Sequence, residues 1–422
     1  MNRYQQYKDS GISWLGDIPD TWAMTTAKHV LTKLNRPTTF ESPALICSNH
    51  GKVLLRGEKR IGLISETEHD YQGVEPGDLL IHGMDTWHGA IAMSELSGKC
   101  TSVVHVCSSS QNKRFIMYYL QGLAIRKVFK AITNGVRQNT SDFRSWNEAG
   151  KIPVVIPTTS EQQAIVDFLD QTTAKIDEYI AVKEVEIDKL GLLKQSIISE
   201  VVTRGLNPRV PMKDSGISWL GDVPAHWKRI RSKNLFTRMN RPVDLDDEVI
   251  TCFRDGQVTL RRNRRTEGFT ESFKEIGYQG IRPGDLVIHQ MDAFAGAIGV
   301  SDSKGKGTPV YICLQPKEGI FNWYYAYLLR EMARTGYIKS LYRGIRERSS
   351  DFRFETFSKL FLPVPPFEEQ QAIVDFLDRK IQEIDKFIAN IRLQIEKLKF
   401  YKQRLISDTV TGKIDVRTIN SD

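Results

Sequence analysis

KDSGISWLGDIPDTW, residues 8–22, and KDSGISWLGDVPAHW, residues 213–227, are two copies of one phrase in a single chain. Twelve of the fifteen aligned positions are identical, at an offset of 205 residues. A repeat period of 205 residues indicates a duplicated domain, because the units of solenoid proteins are only tens of residues long. We call this phrase the WLGD motif.

Other phrases recur with nearly the same offset. They are LNRP at 34–37 and MNRP at 239–242, the PGDL-containing stretches from Tyr71 and Tyr278, GVRQNTSDFR from Gly135 and GIRERSSDFR from Gly344, and EQQAIVDFLD from both Glu161 and Glu369. The offset stays between 205 and 209 residues, so the chain is one unit written twice. We therefore expect two similar domains with pseudo-twofold symmetry.

Composition limits the class of protein. The chain has 422 residues, 40% hydrophobic and 26% charged, which suits two or three globular domains. No apolar run is long enough for a membrane helix, and the N-terminus has no apolar segment, so we do not expect secretion. Five cysteines without a CxxC pair predict reduced thiols in a cytoplasm. A net charge of +8 is a modest bias towards polyanions.

Each unit is predicted to begin with an α+β globular part, over residues 1–158 and 206–366. Short β-rich runs such as DLLIH, GAIAM, VVHVC, DLVIH and PVYICL alternate with turn signals. Helical patches start at Phe115 and Asn322. The proline-rich segments IPVVIP and LPVPPF mark the end of each globular part.

A long helix is predicted to follow in each unit, over 159–205 and 367–422. Apolar residues there recur in steps of four and three, which is typical of a coiled coil. The seam positions are Leu169, Thr173, Ile176, Ile180, Lys183, Ile187, Leu190, Lys194 and Ile197 in the first helix, and Leu377, Ile381, Ile384, Ile388, Ile391, Ile395, Leu398, Lys402 and Leu405 in the second. Chain order requires the paired helices to be antiparallel, as a bar of about 60 Å with a domain at each end. The polar seam residues either set the register or are tolerated near solvent.

The sequence offers no recognisable catalytic site. It lacks the phosphate-loop, HExxH and GxSxG motifs. His82 and His289 each precede an aspartate, Asp85 and Asp292, at the same place in both units. A His–Asp pair can act as a general base, but no nucleophile or metal-ligand set accompanies these. We interpret the histidines mainly as turn residues and keep them as candidate DNA contacts.

Basic clusters at equivalent places are the stronger signal. They are Arg56, Lys59 and Arg60 with their counterparts Arg261, Arg262, Arg264 and Arg265, and Arg137 and Arg144 with their counterparts Arg346, Arg348 and Arg353. Guanidinium groups suit guanine edges and phosphates alike. Each cluster alone is also compatible with a solvated charged hairpin.

These motifs resemble the specificity subunit of type I restriction-modification systems, HsdS. The resemblance rests on the WLGD motif at each unit's start, PGDL in each globular part, and a proline exit followed by EQQAIVDFLD. It covers residues 8–415. It implies an α+β protein whose two target-recognition domains are separated by two antiparallel helices.

The resemblance also implies a non-catalytic reader of double-stranded DNA. Each domain would read half of a split, asymmetric site, and the helices would set the gap and dock two methyltransferase subunits. Two motor-nuclease subunits would complete the restriction enzyme. S-adenosylmethionine, ATP and Mg would be bound by those partners, and no cofactor by this chain.

Two other functions stay open at this point. One is a coiled-coil scaffold for protein partners that does not read DNA. The other is a stand-alone nuclease, which needs a carboxylate cluster for metal; Asp78, Asp85, Asp285 and Asp292 are the candidates, although the PGD aspartates suit a tight turn better.

Overall fold

The duplicated sequence folds into the same succession of strands twice. A computed structural model describes residues 2–39, 41–57, 71–132, 143–264, 276–341 and 352–417. The chain forms two units, Met1–Glu184 together with Ile391–Asp422, and Val185–Asn390. We call them unit 1 and unit 2. Both long helices contribute to both units. Among the described helices, none combines the length and apolarity that crossing a membrane requires.

The first half of the chain carries twelve strands and five helices in its described residues. The strands are β1 (Tyr7–Asp9), β2 (Asp17–Pro19), β3 (Ala23–Thr26), β4 (Leu31–Leu34), β5 (Leu45–Cys47), β6 (Val53–Leu55), β7 (Tyr71–Val74), β8 (Leu79–His82), β9 (Ile91–Met93), β10 (Gly98–Thr101), β11 (Val104–Ser109) and β12 (Pro153–Ile156). The helices are α1 (Ala27–Val30), α2 (Lys113–Ile125), α3 (Val128–Ile132), α4 (Trp146–Ala149) and α5 (Thr159–Arg204).

The second half repeats this order over its described residues. The strands are β13 (Met212–Asp214), β14 (Asp222–Pro224), β15 (Lys228–Arg231), β16 (Phe236–Met239), β17 (Ile250–Cys252), β18 (Val258–Leu260), β19 (Gln279–Ile281), β20 (Leu286–His289), β21 (Ile298–Val300), β22 (Gly305–Gly307), β23 (Tyr311–Pro316) and β24 (Phe361–Val364). The helices are α6 (Ser232–Leu235), α7 (Asn322–Arg334), α8 (Tyr337–Ser340), α9 (Phe354–Phe357) and α10 (Phe367–Val410).

A four-stranded antiparallel sheet is the centre of each unit. Its order is β4-β11-β8-β9 in unit 1 and β16-β23-β20-β21 in unit 2. The register is also the same, since Val104 pairs with His82 and Tyr311 with His289. The other strands pair two by two, as β1–β2, β3–β12, β5–β6 and β7–β10 and the equivalent β13–β14, β15–β24, β17–β18 and β19–β22. The two units therefore share one fold, as the sequence repeat predicts.

The central sheet is buried on both faces. In β20, Leu286 and Ile288 belong to the core cluster that includes α7, whereas Val287 belongs to a second cluster with Ile250 and Val258 of the β17–β18 hairpin. Successive residues of a strand point to opposite faces of the sheet, so residues of the one strand β20 belong to both clusters. This packing fixes the hairpin on the outer face of the sheet.

The long helices pair as predicted inside each unit. In unit 1 the Lys402 ammonium lies 2.6 Å from Asp177, and that of Lys399 lies 3.8 Å from Glu184, so the numbering falls along one helix as it rises along the other. In unit 2 Lys194 lies 2.8 Å from Asp385. Seam residues such as Ile176, Ile180, Ile384, Ile391, Ile395 and Leu405 are buried. The pairing is antiparallel.

The helical patch predicted from Phe115 is interrupted. α2 ends at Ile125 and α3 starts at Val128, because Lys127 adopts a left-handed φ of 59°. In unit 2 the same break between α7 and α8 is made by Gly336, with φ of 79°. A side chain disfavours this conformation by about 1–2 kcal/mol. Unit 1 therefore carries a backbone strain that unit 2 avoids.

Candidate nucleic-acid interface

The end of the middle strand in each unit carries the predicted histidine in a tight turn. We call residues 82–85 and 289–292 the HxMD turns. His82 Nδ1 accepts the Asp85 N–H at 3.1 Å, and His289 Nδ1 accepts the Asp292 N–H at 3.1 Å. Burial lowers the pKa of both imidazoles, so they are neutral near pH 7, with the proton on Nε2. This geometry supports the structural interpretation of the histidines, and each ring still carries one N–H donor.

A second segment is pinned beside each HxMD turn. The Phe143 N–H donates to the Gly83 carbonyl at 3.1 Å, and the Phe352 N–H donates to the Gln290 carbonyl at 3.0 Å. Both phenylalanine rings are buried. The residue after each phenylalanine is a predicted DNA contact, Arg144 in unit 1 and Arg353 in unit 2. The fold thus brings one predicted arginine next to the predicted histidine in each unit.

The arginines of the β17–β18 hairpin are held by acids. Arg262 pairs with Glu248 at 2.7 Å and Arg264 with Asp255 at 2.8 Å. The Arg264 guanidinium also stacks over the Phe253 ring, 4.2 Å from its centroid. The cluster is therefore a surface of oriented guanidinium groups with much of its net charge balanced.

The basic clusters seen in the sequence do not include Arg254, an arginine beside the HxMD turn of unit 2. Arg254 lies at the tip of the hairpin, and its Nη2 donates to Asp292 Oδ1 at 2.9 Å, so it joins the hairpin to the HxMD turn. Its side chain is 67% exposed. A signal was present in the sequence, because the tip phrases CSNHG and CFRDG align at an offset of 205 residues and differ at this position.

The remaining predicted contacts divide into two groups. Arg261 donates from Nε to Thr251 Oγ1 at 3.4 Å, and Arg56 follows β6, where its N–H donates to the Ala44 carbonyl at 2.8 Å. The others lie outside the described residues: Lys59, Arg60, Arg137, Arg265, Arg346 and Arg348.

The aspartates of the PGD phrases, Asp78 and Asp285, accept hydrogen bonds within a turn and from an arginine. Asp285 accepts the Arg282 N–H at 2.8 Å and two N–H groups of Arg241 at 2.5 and 3.1 Å. Asp78 has the same two kinds of partner, the Glu75 N–H and the Arg36 guanidinium. Within the described ranges, no group of three or more His, Cys, Asp or Glu side chains is placed to hold a metal ion. Two of the four candidate metal ligands of the nuclease alternative, Asp78 and Asp285, are therefore already paired with arginines.

Comparison with known proteins finds type I restriction specificity subunits among the relatives of this chain. A model described as Type I restriction modification DNA specificity domain matches residues 265–397. A putative type I restriction enzyme specificity subunit, MjaX of Methanocaldococcus jannaschii, is 22% identical over 460 residues, covering 98% of this chain and 99% of that protein. This chain is similar to type I restriction specificity subunits over nearly its whole length. The recognition made from the sequence motifs is confirmed.

Solved structures agree with the fold of a specificity subunit. A chain from a study of complex assembly and conformational transition of the type I R-M system matches with a TM-score of 0.67 at 15% identity, over 94% of this chain and 99% of that one. The HsdS subunit from Thermoanaerobacter tengcongensis matches with a TM-score of 0.54 at 16% identity, over 94% and 98%. The predicted fold class, two similar α+β domains linked by long helices, is confirmed. The predicted role, recognition without catalysis, is the one that the similarity to specificity subunits supports.

Proposed function

We propose that this chain reads a split DNA site, with one half-site for each globular part, residues 1–158 and 206–366. The observation that carries the proposal is the exposed surface made twice from an HxMD turn, a hairpin and a pinned arginine. The two copies share a backbone but differ in side chains. Two copies of one backbone structure that carry different side chains suit two half-sites of different sequence on one duplex.

The predicted basic residues take two roles in this proposal. Arg144 and Arg353, fixed beside the HxMD turns, approach the groove with His82 and His289 as neutral donors. The other arginines contribute mainly phosphate contacts, which position the protein without reading sequence. The remaining candidates stay proposed DNA contacts: Arg56, Arg261, Arg262 and Arg264 among the described residues, and Lys59, Arg60, Arg137, Arg265, Arg346 and Arg348 outside them.

The helices are proposed to set the gap and dock two methyltransferase subunits. Their seam is buried, yet large apolar side chains remain exposed on other faces. In unit 1 these include Tyr179, Val182 and Phe400, with exposures of 49%, 57% and 67%. In unit 2 they include Leu192 and Phe387, at 66% and 63%. Exposed apolar groups of this size support a protein partner.

The chemistry is proposed to belong to the partners. S-adenosylmethionine would bind to the methyltransferase subunits, and ATP and Mg to two motor-nuclease subunits. This chain would contribute the recognition of the DNA sequence, and it would act in the cytoplasm. A scaffold without DNA readout is less well supported, because it gives no role to the paired exposed surfaces.

Selection from a random duplex library tests the proposal. The chain would be co-expressed with its methyltransferase subunit, purified as a complex and mixed with the library, and bound duplexes would be sequenced. We expect two short motifs separated by a fixed gap, and native mass spectrometry should give two methyltransferase subunits per chain. A soluble complex of that composition that enriches no sequence would support the scaffold alternative.

A further inference from the structure

The two hairpin tips have one backbone and different side chains. In unit 1 the Ser48 N–H donates to the Lys52 carbonyl at 2.9 Å, and in unit 2 the Phe253 N–H donates to the Gln257 carbonyl at 2.9 Å. Each turn closes on a left-handed glycine, with φ of 68° at position 51 and 91° at position 256. The second residue of the turn is Asn49 in unit 1 and Arg254 in unit 2, and both are exposed.

Each tip also lies at the same place on its unit. The HxMD turn runs into a 3-10 turn, Thr86–His88 or Ala293–Ala295, which ends at a left-handed glycine. A Cβ at Gly296 would lie 2.8 Å from the Arg254 carbonyl oxygen, and one at Gly89 would lie 3.7 Å from the Asn49 carbonyl oxygen. The backbone of the tip residue therefore lies next to the glycine that ends this turn in both units, and it lies closer in unit 2 than in unit 1.

The Arg254 side chain is oriented before any ligand binds. Its Nη2 is fixed by the Asp292 carboxylate at 2.9 Å, while the side chain stays 67% exposed. A guanidinium has five N–H donors in a planar fork, so one bond to a carboxylate leaves further donors directed outward. Fixing the fork in advance reduces the rotamer entropy lost on binding.

The carboxylate also decides between base and phosphate as the partner of this arginine. Asp292 cancels much of the local positive charge, which weakens attraction to a phosphate. The paired acceptors of guanine, O6 and N7, match the guanidinium fork in geometry and need no net charge. At the equivalent position Asn49 offers an amide, which suits adenine N6 and N7.

We propose that Arg254 is a specificity-determining residue that reads a guanine in the half-site of unit 2, and that Asn49, its counterpart, reads a different base in the half-site of unit 1. This inference rests on the proposed function. It assigns a base contact to a hairpin tip that the arginine clusters do not include.

The test uses the full chain in complex with its methyltransferase subunit. Modified-base sequencing of host DNA first gives the wild-type motif, and binding is then measured by fluorescence anisotropy on duplexes with each base pair of the site replaced in turn. For Arg254→Asn we expect preference for one guanine in one half-site to fall about tenfold or more, with the other half-site unchanged. Arg254→Gln should lose the same preference, because an amide suits the N6 and N7 groups of adenine and not the paired acceptors of guanine. Arg209→Asn, an equal charge change in the segment after α5, should alter nothing.

Three outcomes overturn the inference and leave the proposed function standing. The first is an unchanged motif for Arg254→Asn in a complex purified at wild-type yield. The second is a uniform loss of affinity for all duplexes with a lower salt dependence, which would make Arg254 a phosphate contact. If Arg254→Asn lowers the yield, Arg254→Gln carries the test, and an unchanged guanine preference there is the third outcome. A wild-type complex that shows no split motif would instead remove the proposed function itself.

Discussion

At the scale of residues, the repeated phrases are explained by contacts that they make with one another. The arginine of the NRP phrase pairs with the aspartate of PGD, as Arg241 does with Asp285. The second tryptophan of the WLGD motif donates its indole N–H to the first glutamate of the EQQ phrase, at 3.1 Å both for Trp22 with Glu161 and for Trp227 with Glu369. The ion pair and the hydrogen bond hold each unit together, so both copies carry the residues that form them.

The ion pair between Arg241 and Asp285 should be important for stability. Arg241→Ala leaves the Asp285 carboxylate, whose side chain is 2% exposed, without its charged partner. Removing one member of a buried ion pair costs about 3–5 kcal/mol, and we expect the lower end of that range by urea denaturation. The control is Arg262→Ala, which breaks a pair whose arginine is 64% exposed and should cost less than about 1 kcal/mol. Equal losses for both variants would contradict this account.

The left-handed lysine in unit 1 gives a second prediction at this scale. Lys127→Gly removes the steric penalty of a φ of 59°, although glycine also gains freedom in the unfolded chain. We expect a net stabilisation of about 0.5–1 kcal/mol, seen as a higher Tm. Gly336→Lys, the matched change in unit 2, should destabilise by a similar amount. A lower Tm for Lys127→Gly would show that the side chain of Lys127 outweighs the strain.

At the scale of elements, the helix pair contains two equivalent charged contacts in its seam. Lys194 pairs with Asp385 in unit 2, and Lys402 pairs with Asp177 in unit 1; both lysines and both aspartates are related by the offset of 208 residues. The lysine side chains are only 28% and 27% exposed. A charged side chain at a seam position favours the register that gives it a partner. The contacts thus favour the register alternative for these seam lysines.

A double-mutant cycle measures this pairing in unit 1. Lys402→Asp places two carboxylates in contact and should destabilise the chain, and adding Asp177→Lys should restore most of the loss. We expect a coupling energy of about 0.5–1 kcal/mol by chemical denaturation, because the aspartate is 55% exposed. The equivalent swap of Lys194 and Asp385 is the matched test. Additive effects in both cycles would mean that the lysines are merely tolerated near solvent.

Elements were predictable from the sequence where their signal is local. The heptad spacing predicted α5 and α10, and apolar runs such as DLLIH and PVYICL predicted β8 and β23. The break after α2 was not predicted, because Lys127 has no sequence mark of a left-handed residue, whereas Gly336 in unit 2 has one. The C-terminus of α2 and the N-terminus of α3 could therefore be located only in the structure.

At the scale of the whole molecule, duplication was the most informative property of the sequence. It predicted two similar domains, and the motifs within it revealed the resemblance to type I restriction specificity subunits. The candidate surface was predicted only in part, because its decisive contact joins Arg254 to a residue 38 positions away in the chain. The arginine runs that stood out in the sequence make their described contacts mostly within one hairpin. Tertiary proximity, which no local pattern carries, separates the two cases.

The most direct test of the central claim is single-molecule sequencing of DNA from cells that express this chain with its methyltransferase subunit. We predict N6-methyladenine in both halves of one split motif with a fixed gap, and complete loss of the motif when this chain is deleted. An active methyltransferase in a soluble complex that leaves host DNA without any split motif would contradict the claim that this chain reads DNA.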